Sequence, residues 1–364
     1  MKILDNGIIC RKPDSLFGYF GWGSVTRIDT HTLVAVCSGE RTGHICPWGK
    51  TELFYSFDDG RTWSYPVVVN DTVLDDRDAG IVHLGGDKLL LTWFNHPLRY
   101  CETPDVDSPW SRMVTAYMDA AAQYDRKACG SYIRLSYDRG FSWTPARKVE
   151  VSSPHGPCVL ADGTILYLGK YMYSDRKPRD PDAYHDASEP ILALLSRDGG
   201  LTWEEGGTVP LPENVARDEL HEPHAVQLPS GRIIGMLRFG QYPIRAPYTK
   251  EFSMFTTWSD DGGMTWSVPV YTDVLGYPPH LLVHSSGALI CSHGRRVEPF
   301  GGHAMVSYDE GRTWAADYEL YGCMDWDLGY PCSVELYDGT ILTVYYQKYP
   351  GDGKDSFLYT HWAL

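Results

Sequence analysis

One eight-residue pattern, Ser-x-Asp-x-Gly-x-(Ser/Thr)-Trp, occurs five times in this chain of 364 residues, at 56–63, 136–143, 196–203, 259–266 and 307–314. Each copy suits a tight turn. Its aspartate carboxylate can accept backbone N–H bonds, and its glycine can take the left-handed conformation. The tryptophan can pack back on the neighbouring strands. A pattern that recurs in this way marks one structural unit used repeatedly. A second repeat interleaves with the first: an apolar run, a Gly-containing turn and another apolar run, beginning at Val25, Ile81, Cys158, Ala225, Leu281 and Ser333. Short apolar runs around Asp-Gly or Ser-Gly are hairpin signals. Every hairpin but the last is followed by a turn motif, so the unit is about four strands, and six units predict an all-β, six-bladed β-propeller.

The propeller is read as a single domain over residues 1–364. The sixth unit lacks the turn motif and ends in Phe357 to Trp362. The N-terminal residues are expected to complete that blade and close the ring. The longest interval between hairpins, from Ile81 to Cys158, holds an insertion at about 97–127. Within it Trp110, Met113, Val114, Tyr117, Met118 and Ala121 fall at helical spacing after a Ser108-Pro109 start. The expectation is a helix that covers the side of the propeller, contacts a second copy in a homo-oligomer, or closes over the site as a lid.

A net charge of −15 repels phosphate backbones and anionic lipids, which argues against nucleic acid and membrane partners. No apolar run is long enough for a transmembrane span. The 12 Trp and 25 Tyr suit both strands and sugar-binding surfaces. Nine cysteines without a CxxC pair, and no apolar leader at the N-terminus, lead to the expectation of reduced thiols and a cytoplasmic protein. No phosphate-binding glycine loop stands between a strand and a helix, so no nucleotide cofactor is expected. His44, His155, His221 and His280 could meet at the channel, but no HxH or HExxH spacing occurs and no metal is expected.

Only around the central channel do all blades of a propeller converge. The residues just ahead of the hairpins are therefore the candidates for function: Trp22, Arg77 with Asp78, His155, His221 with Glu222, His280 and Tyr330. The five turn motifs read as structural. The run Asp75, Asp76, Arg77 and Asp78 also reads as a self-satisfied ion-pair knot.

On these residues the chain resembles the sialidase family, whose repeated turn is the Asp-box, across nearly its whole length. Glu222 and Arg238, 16 residues apart around a hairpin, look like the sialidase glutamate and the second arginine of its carboxylate-binding triad. Tyr330, in GYPCSVELYDGTILTVYY, looks like the nucleophilic tyrosine. Arg295 or Arg296 falls where the third triad arginine would fall. The resemblance implies an exo-acting glycoside hydrolase for a terminal, acidic sugar of a glycan. Tyr330 would be nucleophile or cation stabiliser, with Glu222 as its base. Arg238 and Arg296 would hold a carboxylate through their planar forks. Two positions depart from the family. Trp22 stands where the first triad arginine would be, and His44, in ERTGHICPWG, stands near the place of the acid/base aspartate. His44 or Asp78 would then move the proton. Arg41 and Arg77 would supply replacement charge, and His155, His280 and Trp22 further substrate contacts. These departures point away from plain sialic acid, towards a uronic acid or deoxy sugar. Two alternatives stay open: a polysaccharide lyase using His44 or His155 with Tyr330, and a non-catalytic glycan-binding propeller.

Overall fold

Six antiparallel sheets form a closed ring, and one edge strand of each faces the central axis. These relationships come from a computed structural model that describes residues 1–98, 101, 107–171 and 189–364. The innermost strands are Tyr19–Arg27 in blade 1, Asp75–His83 in blade 2, Leu220–Gln227 in blade 4, Pro279–Val283 in blade 5 and Leu328–Glu335 in blade 6. In blade 3 two short strands, Val151–Ser152 and Cys158–Val159, share that place. Blade 6 is completed by the N-terminal strand Lys2–Cys10, which pairs antiparallel with the C-terminal strand Asp355–Ala363. Pairing the first strand of the chain with the last closes the ring, as the sequence predicts.

The Asp-box turns owe their shape to one carboxylate each. In blade 1 Asp58 Oδ1 accepts from Ser56 Oγ at 2.9 Å and from Thr62 N at 2.9 Å, while Oδ2 accepts from Thr62 Oγ1 at 2.7 Å. Gly60 takes φ +84°, and Trp63 Nε1 donates to its carbonyl at 3.0 Å. Asp138, Asp198, Asp261 and Asp309 repeat the carboxylate pattern. Each Asp-box tryptophan then packs into the apolar layer between its own blade and the preceding one. Trp63 meets blade 6, Trp143 blade 1, Trp203 blade 2, Trp266 blade 3 and Trp314 blade 4. Between blades 5 and 6, where no Asp-box supplies a tryptophan, the layer is filled by Trp362 of the last strand, fully buried with Nε1 on Thr343 Oγ1 at 2.8 Å.

The expected helix is present at Pro109–Ala128. Val114 is buried, Ala121 packs with Leu74, Leu98, Cys101 and Cys129, and Tyr117 Oη donates to Val73 O at 2.9 Å. The helix thus packs on the segments that lead into Asp75–His83 and out of Leu89–His96, at one end of blade 2. Residues 99–100 and 102–106 of the insertion lie outside the described residues. No helix among the described residues is long and apolar enough to cross a membrane. All nine cysteines are free thiols.

Candidate active site

Four innermost strands break register at the same place. Pairing shifts between Gly21 and Ser24, Arg77 and Gly80, His221 and His224, and Gly329 and Cys332. Within each bulge one non-glycine residue has a left-handed backbone: Trp22 (φ +52°), Asp78 (+53°), Glu222 (+39°) and Tyr330 (+49°). A bulge re-aims the side chains of the strand that carries it. Left-handed backbone costs a non-glycine residue on the order of 1–3 kcal/mol and clusters at functional sites. The repeated bulge turns Asp78, Glu222 and Tyr330 into one cavity of about 300 Å³ at the channel mouth.

That cavity is also lined by His44, Arg77, Lys170, His221, Arg238 and Arg296. Tyr330 Oη donates to Glu222 Oε1 at 2.7 Å, and Arg238 Nη1 donates to Glu222 Oε2 at 2.6 Å. Arg238 Nη1 also lies 3.5 Å from Tyr330 Oη. The Arg296 guanidinium stands over the Tyr330 ring, 5.5 Å from its centroid. It is steered there by Nε on Leu328 O at 2.9 Å and by a hydrogen bond to Tyr346 Oη.

Charge differs sharply across the cavity. Burial works against the Glu222 carboxylate, but Arg238 and the Tyr330 hydroxyl outweigh it and hold the group down at about 2. Burial pushes Asp78 up to about 7, against the pull of Arg77, so it is half protonated near neutrality. Its Oδ1 has no hydrogen-bond partner among the described residues. Burial, reinforced by Glu222 and Asp78, raises the Tyr330 phenol well above its ordinary range. Burial lowers His44, partly offset by a hydrogen bond to Asp327.

Several predicted residues lie elsewhere. Arg41 is wholly buried and does not line the cavity. Its guanidinium takes both oxygens of Asp75 and donates from Nη2 to His44 O at 3.0 Å, holding the loop that carries His44. Trp22 is buried beneath the cavity, with the Arg77 guanidinium 4.0 Å and that of Arg41 4.7 Å from its ring centroid. His155 and His280 cluster with His224 outside the cavity wall, His280 stacked on His224 and His155 edge-on to both. His224 and His280 each accept a backbone N–H at Nδ1, from Leu281 at 3.0 Å and Ser333 at 3.2 Å. Of the two adjacent arginines, Arg296 lines the cavity, while Arg295 turns to Val297 O. The 75–78 run divides: Asp75 and Asp76 are tied into buried bonds with Arg41, Thr72 and Asn95, whereas Arg77 and Asp78 face the cavity. Among the described residues no group of three or more His, Cys, Asp and Glu side chains is placed to hold a metal ion.

Residues of the site that escaped the sequence reading include three that carry charge or position a neighbour. Lys170 lines the cavity, Tyr346 hydrogen-bonds Arg296, and Asp327 hydrogen-bonds His44. A signal for two of them existed. Lys170, Arg238 and Tyr346 each stand seven residues past a hairpin glycine, Gly163, Gly231 and Gly339. Asp327 sits in a loop outside both repeats and had none.

The BNR repeat-like domain family matches residues 106–342 of the chain. The chain belongs to that family. No curated protein matches it in sequence. Among solved structures, this BNR propeller is similar to a protein of unknown function from Dyadobacter fermentans, at 19% identity over 100% of this chain and 98% of that one, with a TM-score of 0.75. It is also similar to the NanB sialidase of Streptococcus pneumoniae, at 15% identity over 98% and 70% of the two chains and a TM-score of 0.68. The intramolecular trans-sialidase of Ruminococcus gnavus, solved with oseltamivir carboxylate, matches at 16% identity over 96% and 95%, with a TM-score of 0.64. At these identities the likeness is one of fold.

Proposed function

We propose that this BNR propeller is an exo-acting glycoside hydrolase for a terminal, acidic sugar. The observation that carries the reading is the Tyr330–Glu222 hydrogen bond, flanked in one cavity by Arg238 and Arg296. Glu222, kept ionised by Arg238, takes the phenol proton as Tyr330 Oη bonds to the anomeric carbon. The glycosidic C–O bond breaks, and the leaving oxygen takes a proton from Asp78, which burial leaves protonated in about half of the molecules near neutral pH. Water then attacks the same carbon and passes a proton to the ionised Asp78 or to His44. Tyr330 leaves and recovers its proton from Glu222. Arg238 and Arg296 favour a sugar carboxylate because guanidinium forks match its geometry. The sialidase and trans-sialidase among the similar folds support this reading.

A second reading is β-elimination beside a uronate. It is favoured by the His44 ring, whose lowered pKa leaves it neutral and able to accept a proton. The test is a screen of aryl sialosides, uronides and rhamnosides and of acidic oligosaccharides, with wild type beside Tyr330→Phe. Release of aglycone by the wild type alone supports hydrolysis. An unsaturated, ultraviolet-absorbing product means elimination. Binding with no turnover of any substrate overturns the enzyme reading and leaves a glycan-binding propeller.

A further inference from the structure

Asp327 precedes the innermost strand of blade 6 and is 7% exposed. Its Oδ1 lies 2.9 Å from His44 Nδ1 and accepts from Tyr346 Oη at 3.2 Å. Its Oδ2 accepts from Tyr19 Oη at 3.1 Å. The two tyrosine hydroxyls favour its ionised form, and of the pair it makes with Asp355 it is Asp327 that carries the charge, since burial and Asp327 itself raise Asp355. Ionised, it can only accept, so the hydrogen between it and the imidazole belongs to His44 Nδ1. That leaves the lone pair on Nε2, which no hydrogen bond among the described residues engages, in a ring that lines the cavity.

The ring is held from the other directions too. Arg41 binds the His44 carbonyl from behind, and Trp22 meets the imidazole edge-to-face, with centroids 5.0 Å apart. The same carboxylate reaches the far side of the cavity, since Arg296 donates to Tyr346 Oη, which donates to Asp327. One aspartate thus joins the group proposed to move a proton to an arginine proposed to hold the substrate.

We propose that Asp327 is the positioning residue of a His44–Asp327 proton-transfer dyad, fixing the Nδ1–H tautomer so that Nε2 exchanges the proton with the reactants. The inference rests on the reading of His44 as a proton-transfer group in the site described above. In the hydrolytic cycle Nε2 takes the proton from the attacking water, the water oxygen bonds to the anomeric carbon, and the bond to Tyr330 Oη breaks. Tyr330 recovers its proton from Glu222, and the proton on Nε2 passes through solvent to Asp78, which gave one to the leaving oxygen. The charged groups that face His44 are Asp327, which favours the imidazolium, and Arg77 and Arg296, which with burial disfavour it. Tyr19 adds a hydroxyl 3.1 Å from Nδ1. The resting ring is accordingly a neutral base.

The dyad is tested without substrate by long-range proton–nitrogen correlation on histidine-labelled protein through a pH titration, with His44 assigned by its loss in His44→Gln. In wild type the hydrogen is expected on Nδ1. In Asp327→Asn that preference is expected to disappear, and the His44 midpoint to fall by about one pH unit, because the carboxylate that favoured the imidazolium has gone. On a turned-over substrate, Asp327→Asn is expected to lower kcat about 10- to 100-fold with KM little changed. The acid limb of the pH profile should move down with the midpoint, and Asp327→Glu should restore part of the rate. A wild-type hydrogen on Nε2, or an Asp327→Asn titration identical to wild type, overturns the dyad whether or not the protein cleaves a glycoside.

Discussion

Tyr330 donates its phenolic hydrogen to Glu222 across 2.7 Å, joining blades 6 and 4 over the channel mouth. Removing the hydroxyl leaves the Glu222–Arg238 pair in place, so Tyr330→Phe is expected to fold normally. Its melting temperature should stay within a few degrees of wild type, while kcat on any cleaved glycoside falls about 1,000-fold or more. A Tyr330→Phe enzyme with wild-type kcat would remove Tyr330 from the chemistry.

Arg296 reaches the cavity over the Tyr330 ring and is anchored through Leu328 O and Tyr346. Arg296→Met is expected to weaken binding of an acidic sugar about 10- to 100-fold, the loss of a charge-assisted hydrogen bond. Binding of the corresponding methyl ester should change much less. Calorimetric titration of acid and ester against both proteins gives the ratio, which a general loosening of the site would leave unaltered.

Asp78 has a folded pKa raised by burial to about 7. The folded state therefore holds a proton that the unfolded chain releases between about pH 4 and 7. The associated stability is full below pH 4 and is lost as pH rises through about 7. Asp78→Asn keeps the shape and removes the titration. Its stability relative to wild type is expected to rise between pH 5 and pH 8 by roughly 2–3 kcal/mol, seen as a rise in relative melting temperature. Parallel thermal scans at the two pH values measure it, and a constant difference would contradict the raised pKa.

Arg41 and Asp75 form a two-pronged ion pair with both side chains fully buried. Breaking one half leaves a buried charge uncompensated. Asp75→Leu alone is expected to cost roughly 3–5 kcal/mol, and the double variant Arg41→Met/Asp75→Leu clearly less than Arg41→Met and Asp75→Leu together. Denaturant titrations of the four proteins complete the cycle.

Trp362 fills the layer between blades 5 and 6 that an Asp-box tryptophan fills elsewhere. Trp362→Ala is expected to cost roughly 3–5 kcal/mol. Trp63→Ala removes a partly buried ring and should cost less. Equal losses in denaturant titration would mean that the two tryptophans do not differ in the packing they supply.

The ring of blades was legible because its signals are local. An Asp-box needs only the carboxylate of Asp58, its hydroxyl partners on Ser56 and Thr62, and a left-handed Gly60, all within one turn. Likewise the spacing of Val114, Tyr117 and Ala121 is the pitch of a single helix, and the helix formed as expected. Tyr330 and Glu222 were legible for a different reason: each stands just ahead of a hairpin whose place in the ring was already known, whereas Arg238 and the alternative of Arg295 or Arg296 came through the resemblance to sialidases.

The tertiary structure alone decided which of the remaining candidates share a cavity. Arg41 and Arg77 look equivalent as charges in the sequence, yet Asp75 seals Arg41 in the interior while Trp22 carries Arg77 to the cavity wall. His44 and Asp327 are joined only because the ring brings blade 1 against blade 6. The physical reason is range. Turn chemistry and strand alternation act between neighbours in the chain, so the sequence by itself determined the six blades, the Asp-box turns and the closure by Lys2–Cys10. A bulge of one residue reverses which face a side chain occupies, and a buried charge takes whichever partner the packed ring presents, so the final membership of the site was determined by the ring.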